Sequence, residues 1–302
     1  MIDPQAEAVR AVFNAGPPLE QVGVEQARRW LAEARAKREV TAVRHVADLT
    51  VGSIGVRLYH PNPAATLPVL VYAHGGGWVL GSVDTADEAC RRLCNASGCA
   101  VLSVEYRLAP EARHPAPVHD MLQVLHWIPS VAAEQRLNPR RVAIAGESSG
   151  AHVALGAALA ARTPLAAQLL VCPALDRRMA TQSWAAFGDH YVPRRSQMAW
   201  MWNLYLGEHD EFQDAALDPA TASLAGLPPT VLVVAEYDPL RDEALELARR
   251  MQDAGTPVEV IDCAGQIHPV FAHAPVVAAC DRYLRHAAAA IAAELQPIVE
   301  EN

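Results

Sequence analysis

Six solidly apolar runs alternating with helical segments constrain this chain more than any other feature. The runs are Leu67–Ala73, Ala100–Val104, Arg141–Ala145, Leu169–Val171, Val231–Val234 and Val258–Ile261. A strand with one wet face alternates apolar and polar residues, so runs without alternation belong in a sheet covered on both faces. The segments Thr85–Ala96, Pro117–Glu134, Ala151–Arg162, Asp242–Ala254 and Pro275–Glu294 carry helical spacing. Val40–Val51 and Ile54–Tyr59 do alternate, as half-solvated strands at an antiparallel edge would. The pattern predicts an α/β fold: a mostly parallel sheet of about eight strands flanked by helices, with ligands bound at the strand C-terminal ends.

Two stretches stand outside this alternation. Met1 to about Arg38 has helical spacing broken at Gly16-Pro17-Pro18, which predicts two helices joined by a turn. About Met179 to Ala222 interrupts the strand–helix order and carries Trp184, Trp200, Trp202, Phe187, Tyr191 and Tyr205, apolar surface that must be buried against something. The stretch of about 179–222 is expected to form a lid over the site; the alternative is a helical satellite that packs on the core and touches no ligand. No repeat, low-complexity tract or linker divides the chain, so residues 1–302 are expected to form one domain.

Bulk properties exclude several classes of function. With 25 Lys and Arg against 34 Asp and Glu, the net charge of -9 attracts neither nucleic acid nor anionic lipid. Met1–Arg10 is polar and lacks an apolar leader core, and no run approaches the roughly 20 apolar residues of a membrane span, so neither export nor stable membrane insertion is expected. The six cysteines are scattered without a C-x-x-C pair, which suits free, buried thiols in a reducing cytoplasm.

The chemistry is written in three places. Gly146-Glu147-Ser148-Ser149-Gly150 has the G-x-S-x-G form, with an apolar strand running in and a helical segment running out. That context makes a sharp turn holding a nucleophilic serine, with glycines where side chains would collide. His74-Gly75-Gly76-Gly77-Trp78 follows an earlier strand, and its glycines let main-chain N–H groups approach a reacting oxygen. Gly76, Gly77 and Ser149 are the expected oxyanion donors, and His74 is expected to fix the loop. A serine needs a base, and the base an orienting carboxylate. Asp238, after the strand Val231–Ala235, and His268, beyond the strand Val258–Ile261, are the favoured pair; Glu236 and Asp242 are rival acids and His273 is the rival base. His152 is expected to be a packed helix residue. Trp78, Trp184, Tyr191 and Trp202 are expected to contact substrate.

With these motifs the chain resembles the bacterial hormone-sensitive-lipase-like family of carboxylesterases, from about His60 to the C-terminal helix. Tyr106-Arg107-Leu108-Ala109-Pro110-Glu111 and Asp238-Pro239-Leu240-Arg241-Asp242 add to the likeness, the former as a structural landmark. The resemblance implies an α/β-hydrolase fold with a helical cap formed by about 1–38 and about 179–222, no cofactor or metal, and hydrolysis of short- to medium-chain carboxylic esters by a Ser148, Asp238, His268 triad. The same machinery would serve an amidase, lactonase or carbamate hydrolase, and a non-catalytic ligand-binding protein is the more distant alternative. Departures from the family pattern are Glu147, Ser149 and Ala151 around the serine and Pro269 after His268. The alanine-rich Ala287–Ala293 stretch is compatible with a homodimer, and equally with packing on the sheet.

Overall fold

A computed structural model describes residues 1–36, 40–207 and 218–296. Its centre is a sheet of eight strands in the order β1-β2-β4-β3-β5-β6-β7-β8. The first two, β1 (His45–Val51) and β2 (Ile54–His60), form an antiparallel edge, with β2 antiparallel to β4 (Ala100–Glu105). The others, β3 (Leu67–Ala73), β5 (Leu137–Glu147), β6 (Ala167–Val171), β7 (Thr230–Tyr237) and β8 (Val258–Ile267), pair in parallel.

The solid apolar runs of β3 to β7 follow from burial on both faces, whereas β8 is an edge strand on which Glu259 and Val260 are exposed. In β3, Val69 and Val71 face a core shared with helices α5 (Ala116–Val131), α6 (Ser149–Ala160) and α9 (Arg241–Asp253). Leu70 and Tyr72 face the opposite core, shared with α4 (Val83–Ser97) and α11 (Ala278–Glu294). Leu284, Ala287, Ala288 and Ile291 of α11 are fully buried there, so the alanine-rich stretch is accounted for by close packing on the sheet.

From β3 the chain steps to β4 on one side, and from β5 onward it proceeds on the other, so the order reverses between β3 and β5. At such a reversal the loops leaving adjacent strands diverge and open a crevice at their C-terminal ends. Ala73 of β3 lies in register with Gly146 of β5. The triple-glycine loop and the Ser148 turn therefore emerge side by side.

The edges of the reading need correction. Three N-terminal helices replace the expected two: α1 (Pro4–Ala15), the single turn α2 (Leu19–Val22) after Gly16-Pro17-Pro18, and α3 (Val24–Ala36), parted from α2 by Gly23 at φ 81°. The expected strand from Val40 begins only at His45, because the preceding backbone is held by α4 side chains. Glu88 accepts from Thr41 N and Oγ1, while Arg91 and Asn95 donate to the carbonyls of Thr41 and Ala42. The insertion folds into α7 (Gln182–Phe187) and α8 (Arg195–Leu206), and a short turn, α10 (Val270–His273), precedes α11. Residues 37–38 and 208–217 of the expected cap spans lie outside the described residues. Among the described residues no helix is long and apolar enough to cross a membrane, and all six cysteines are free and buried.

Candidate active site

The turn after β5 is built from backbone collisions that only glycine avoids. A Cβ on Gly146 would lie 2.3 Å from the Gly150 carbonyl oxygen, and one on Gly150 would lie 2.1 Å from that of Ala73. Real Cβ atoms do not approach carbonyl oxygens so closely, and neither the β3 strand end nor the first turn of α6 can yield in so closely packed a core. Between them Ser148 sits at φ 59°, ψ -123°, a conformation costly for a residue with a side chain. Backbone bonds hold it there, with Ser148 N donating to Val171 O at 2.8 Å. Ser148 sits there at the N-terminus of α6, with its hydroxyl making no capping bond to the helix.

Two further strand ends meet this hydroxyl. His268 follows the last residue of β8, which runs on to Ile267 past a register irregularity opposite Ala235 and Tyr237, so the imidazole leaves the strand directly instead of a separate loop. Its Nε2 is 3.0 Å from Ser148 Oγ and its Nδ1 is 2.9 Å from Asp238 Oδ2. A carboxylate only accepts, so Nδ1 carries the proton and Nε2 is left to accept from the serine. The second Asp238 oxygen accepts from Leu240 N at 2.9 Å. Ser148, His268 and Asp238 are 9%, 3% and 1% exposed.

Burial is the largest single influence on His268 and disfavours its charged form. It is outweighed by the charge and hydrogen bond of Asp238, with the charge of Glu147 adding to them, so the imidazole is held above its ordinary range. Cys172 lies beside this pair, its sulfur, the imidazole and the Asp238 carboxylate all within 4.8 Å of one another. Burial keeps that thiol protonated, and the imidazole and carboxylate face each other. The cluster is therefore a hydrogen-bonded pair with a neutral thiol alongside.

The rival acids and base are occupied elsewhere. Glu236 accepts from Gly265 N, and Asp242 accepts from Ser183 N at the start of α7. His273 lies in α10, packed near the Phe13 ring.

The triple-glycine loop lies against the serine. Gly76 and Gly77 take φ 130° and 61° and line the same cavity as Ser148 and His268. His74 is completely buried, stacked on Tyr106 at 4.2 Å, and the Tyr106 hydroxyl donates to the His74 carbonyl at 2.7 Å. Burial pushes the His74 imidazole down to about 4, with its hydrogen bond to Gly75 O opposing. It is thus neutral at ordinary pH. The Tyr106–Glu111 landmark supports this loop from beneath, since Ala109 N donates to the Trp78 carbonyl and Arg28 of α3 binds Val79 O, Ala109 O and the Glu111 carboxylate.

The cavity over Ser148 measures about 160 Å³. The N-terminal helices contribute Phe13, Leu19 and Leu31 to its walls and the insertion contributes Val192, Met198 and Met201, alongside Thr85, Ala86 and Ala89 of α4 and Ala272 of α10. Met201 lies flat on Gly77, where a Cβ would stand 1.9 Å from the Met201 sulfur. None of the four expected aromatic contacts lines this cavity. Trp78 is packed between Tyr205 and Trp202, at 4.6 and 4.1 Å between ring centroids, and donates to His152 Nδ1. Trp202 is buried in the same cluster, 2% exposed. Trp184 donates its indole N–H to Glu243 at 3.1 Å, and Tyr191 stacks on Tyr237 under the Arg10 guanidinium. Each of these rings finds a partner in a distant element. Sequence reading passed over the methionines, whose three-residue spacing on α8 was the available signal.

Comparisons with known proteins agree with this architecture. A family model described as the alpha/beta hydrolase fold matches residues 70–272. Carboxylesterase NlhH of Mycobacterium tuberculosis is 35% identical over 272 residues, covering 85% of each chain. Carboxylic ester hydrolase LipN of the same organism is 36% identical over 231 residues, 71% of this chain but only 61% of that one. The crystal structure of a thermostable esterase from Pseudomonas putida superposes with a TM-score of 0.93 at 31% identity, covering 98% of both chains. The chain belongs to the α/β-hydrolase-fold family, in its hormone-sensitive-lipase-like group of esterases.

Proposed function

We propose that this protein is a serine carboxylesterase that hydrolyses short- to medium-chain carboxylic esters through an acyl-enzyme. The observation that carries the reading is the unbroken hydrogen-bonded chain from Ser148 Oγ through His268 to Asp238. Ser148 attacks the ester carbonyl while His268 Nε2 takes its proton, and Asp238 stabilises the imidazolium. Backbone N–H groups of Gly76, Gly77 and Ser149 receive the oxyanion. His268 then protonates the leaving alcohol, and water repeats the sequence on the acyl carbon to free the acid and restore the serine. The names of the relatives support an ester as substrate, and the size of the cavity suits modest acyl chains.

In this reading α1–α3 and the insertion are a cap on a single domain, since both contribute walls to the cavity over Ser148. Arg10 and Asn14 of α1 reach the His190 carbonyl, and Arg194 returns to Asn14, so the two parts are stitched together. Free buried thiols favour a reducing, cytoplasmic setting. Association into a homodimer belongs to the same proposal and is read directly from the mass in solution.

The test is initial rates on p-nitrophenyl acetate, butyrate, octanoate and laurate, for the native protein and Ser148→Ala. A maximum at short or medium chains, reduced at least about 10³-fold in the variant, is the expected result. Turnover that survives the substitution would overturn it. Because His268 must be neutral to act and is held above its ordinary value of 6.5, kcat/KM should rise with pH through a limb above 6.5. A rate flat between pH 5 and 8 would exclude a titrating imidazole base.

A further inference from the structure

Glu147 precedes the serine, and the mechanism above gives it no part. It ends β5 with its side chain turned inward and is 4% exposed. One carboxylate oxygen accepts from Phe271 N at 2.6 Å and from Ala272 N at 3.4 Å. Both donors belong to α10, the turn that begins two residues after His268.

His268 is anchored on its N-terminal side by the β8 ladder, which pairs Ile267 with Tyr237. On its C-terminal side the chain passes through Pro269, which has no N–H to donate, into α10. The bonds to Glu147 fasten that second end. Because Glu147 is covalently joined to Ser148, the nucleophile and the segment carrying its base hang from the same two residues. Any drift of the turn carries both with it, and the 3.0 Å contact between Ser148 and His268 is kept.

We propose that Glu147 is a positioning residue for the general base, its carboxylate clamping α10 so that His268 stays against Ser148. The proposal rests on the esterase reading for its catalytic meaning, but not for its electrostatic consequence. The titratable groups around His268 are Asp238 at the end of β7, Glu147 at the end of β5 and Cys172 just after β6. Those around Glu147 are His268, Tyr72 on the same cavity wall, and the thiols of Cys90 from α4, Cys172 and Cys280 from α11. Burial pushes all three thiols up, so they stay uncharged at neutral pH. Against them Glu147 and Asp238 are the charges that a protonated His268 meets.

Three variants separate clamp from charge. Glu147→Gln keeps an acceptor for Phe271 N and removes the charge; Glu147→Ala removes both; Glu147→Asp keeps the charge on a shorter arm. In Glu147→Ala we expect kcat on p-nitrophenyl butyrate to fall about 10²-fold, the scale of a misplaced reacting group, with KM changed less than about threefold. In Glu147→Gln the acid limb of kcat/KM should move down by about half a unit or more, with a smaller loss of kcat, and Glu147→Asp should restore the native limb. The imidazole titration of His268 is followed by NMR in native and Glu147→Gln protein, its resonance assigned by loss in His268→Gln. It needs no substrate, so it reports on Glu147 even if the esters are not turned over. A downward shift supports the proposal. An unshifted titration in Glu147→Gln, or a folded Glu147→Ala protein with native kcat, overturns it; should Glu147→Ala not fold, the Glu147→Gln titration decides alone.

Discussion

The turn around Ser148 and the insertion above it line the same cavity but are specified in opposite ways. Around Ser148 the constraint is backbone against backbone: Gly146 meets Gly150, Gly150 meets Ala73, and the serine takes a left-handed φ. In the insertion it is side chain against a distant side chain, as where Trp184 reaches Glu243 of α9 and Trp202 joins Trp78. A backbone constraint admits one residue type and is visible in a pentapeptide. A packing constraint admits many residues, and its meaning depends on a partner the local sequence does not name.

The sharpest way to break the contrast is Gly150→Ala. Its Cβ would stand 2.1 and 2.4 Å from the carbonyl oxygens of Ala73 and His74, so β3 and the turn must part. We expect a loss of more than about 3 kcal/mol in denaturant unfolding, together with loss of activity. At Gly98, where a Cβ meets nothing within 4 Å, the same change should cost only the left-handed conformation, about 1 kcal/mol. Equal losses at the two glycines would mean that crowding of the turn is unimportant.

In the insertion Trp184→Phe is the counterpart. It keeps an aromatic ring but removes the N–H that Glu243 accepts, in a site where that carboxyl also takes Leu175 N. A destabilisation of about 1–3 kcal/mol is expected, with kcat/KM on p-nitrophenyl acetate within about threefold of native. A large rise in KM with unchanged stability would return Trp184 to the substrate-contacting role that its type and position suggested.

The same distinction explains what the sequence discloses. The central strands are legible because burial on both faces writes itself as an unbroken apolar run, and β3 and β5 carry their glycine motifs at adjacent ends. Ser148 and Asp238 stand out because they lie at the ends of such strands, and His268 because it follows the last strand, β8, although that edge strand runs six residues beyond its apolar start. The start of β1 is not: Val40–Arg44 alternates like a strand, but Glu88, Arg91 and Asn95 of α4 take up its backbone groups. Nor are the cavity walls, since aromatic rings draw the eye in a sequence, whereas the space over the serine is bounded by Leu19, Leu31, Met198 and Met201.

Met201→Ala sharpens the comparison where the two regions touch. The Met201 sulfur covers Gly77, so truncation should lengthen the cavity beside the oxyanion donors. Each extra methylene accommodated is worth about 1–3 kcal/mol in discrimination, so the octanoate-to-acetate ratio of kcat/KM should rise about tenfold or more. A ratio that does not move would place the acyl chain along another wall.

The smallest effect is expected where Arg28 of α3 grips Glu111 beneath the oxyanion loop, with contacts of 2.8 Å to both carboxylate oxygens. The hydrogen bond to Arg28 is the main influence holding the Glu111 carboxyl down at about 2, against the opposing effect of burial. A depressed carboxyl stabilises the fold above its unfolded value, ordinarily near 4.3, and that contribution fades as pH falls from there toward 2. Glu111 is 63% exposed, so solvent screens the pair and Glu111→Gln should cost no more than about 1 kcal/mol at pH 7. The difference between native and variant in urea unfolding should shrink with added salt and again below about pH 4. A difference that persisted unchanged at pH 3 and high salt would mean that Glu111 acts through packing. Arg28 would then hold the loop by its bonds to Val79 O and Ala109 O alone.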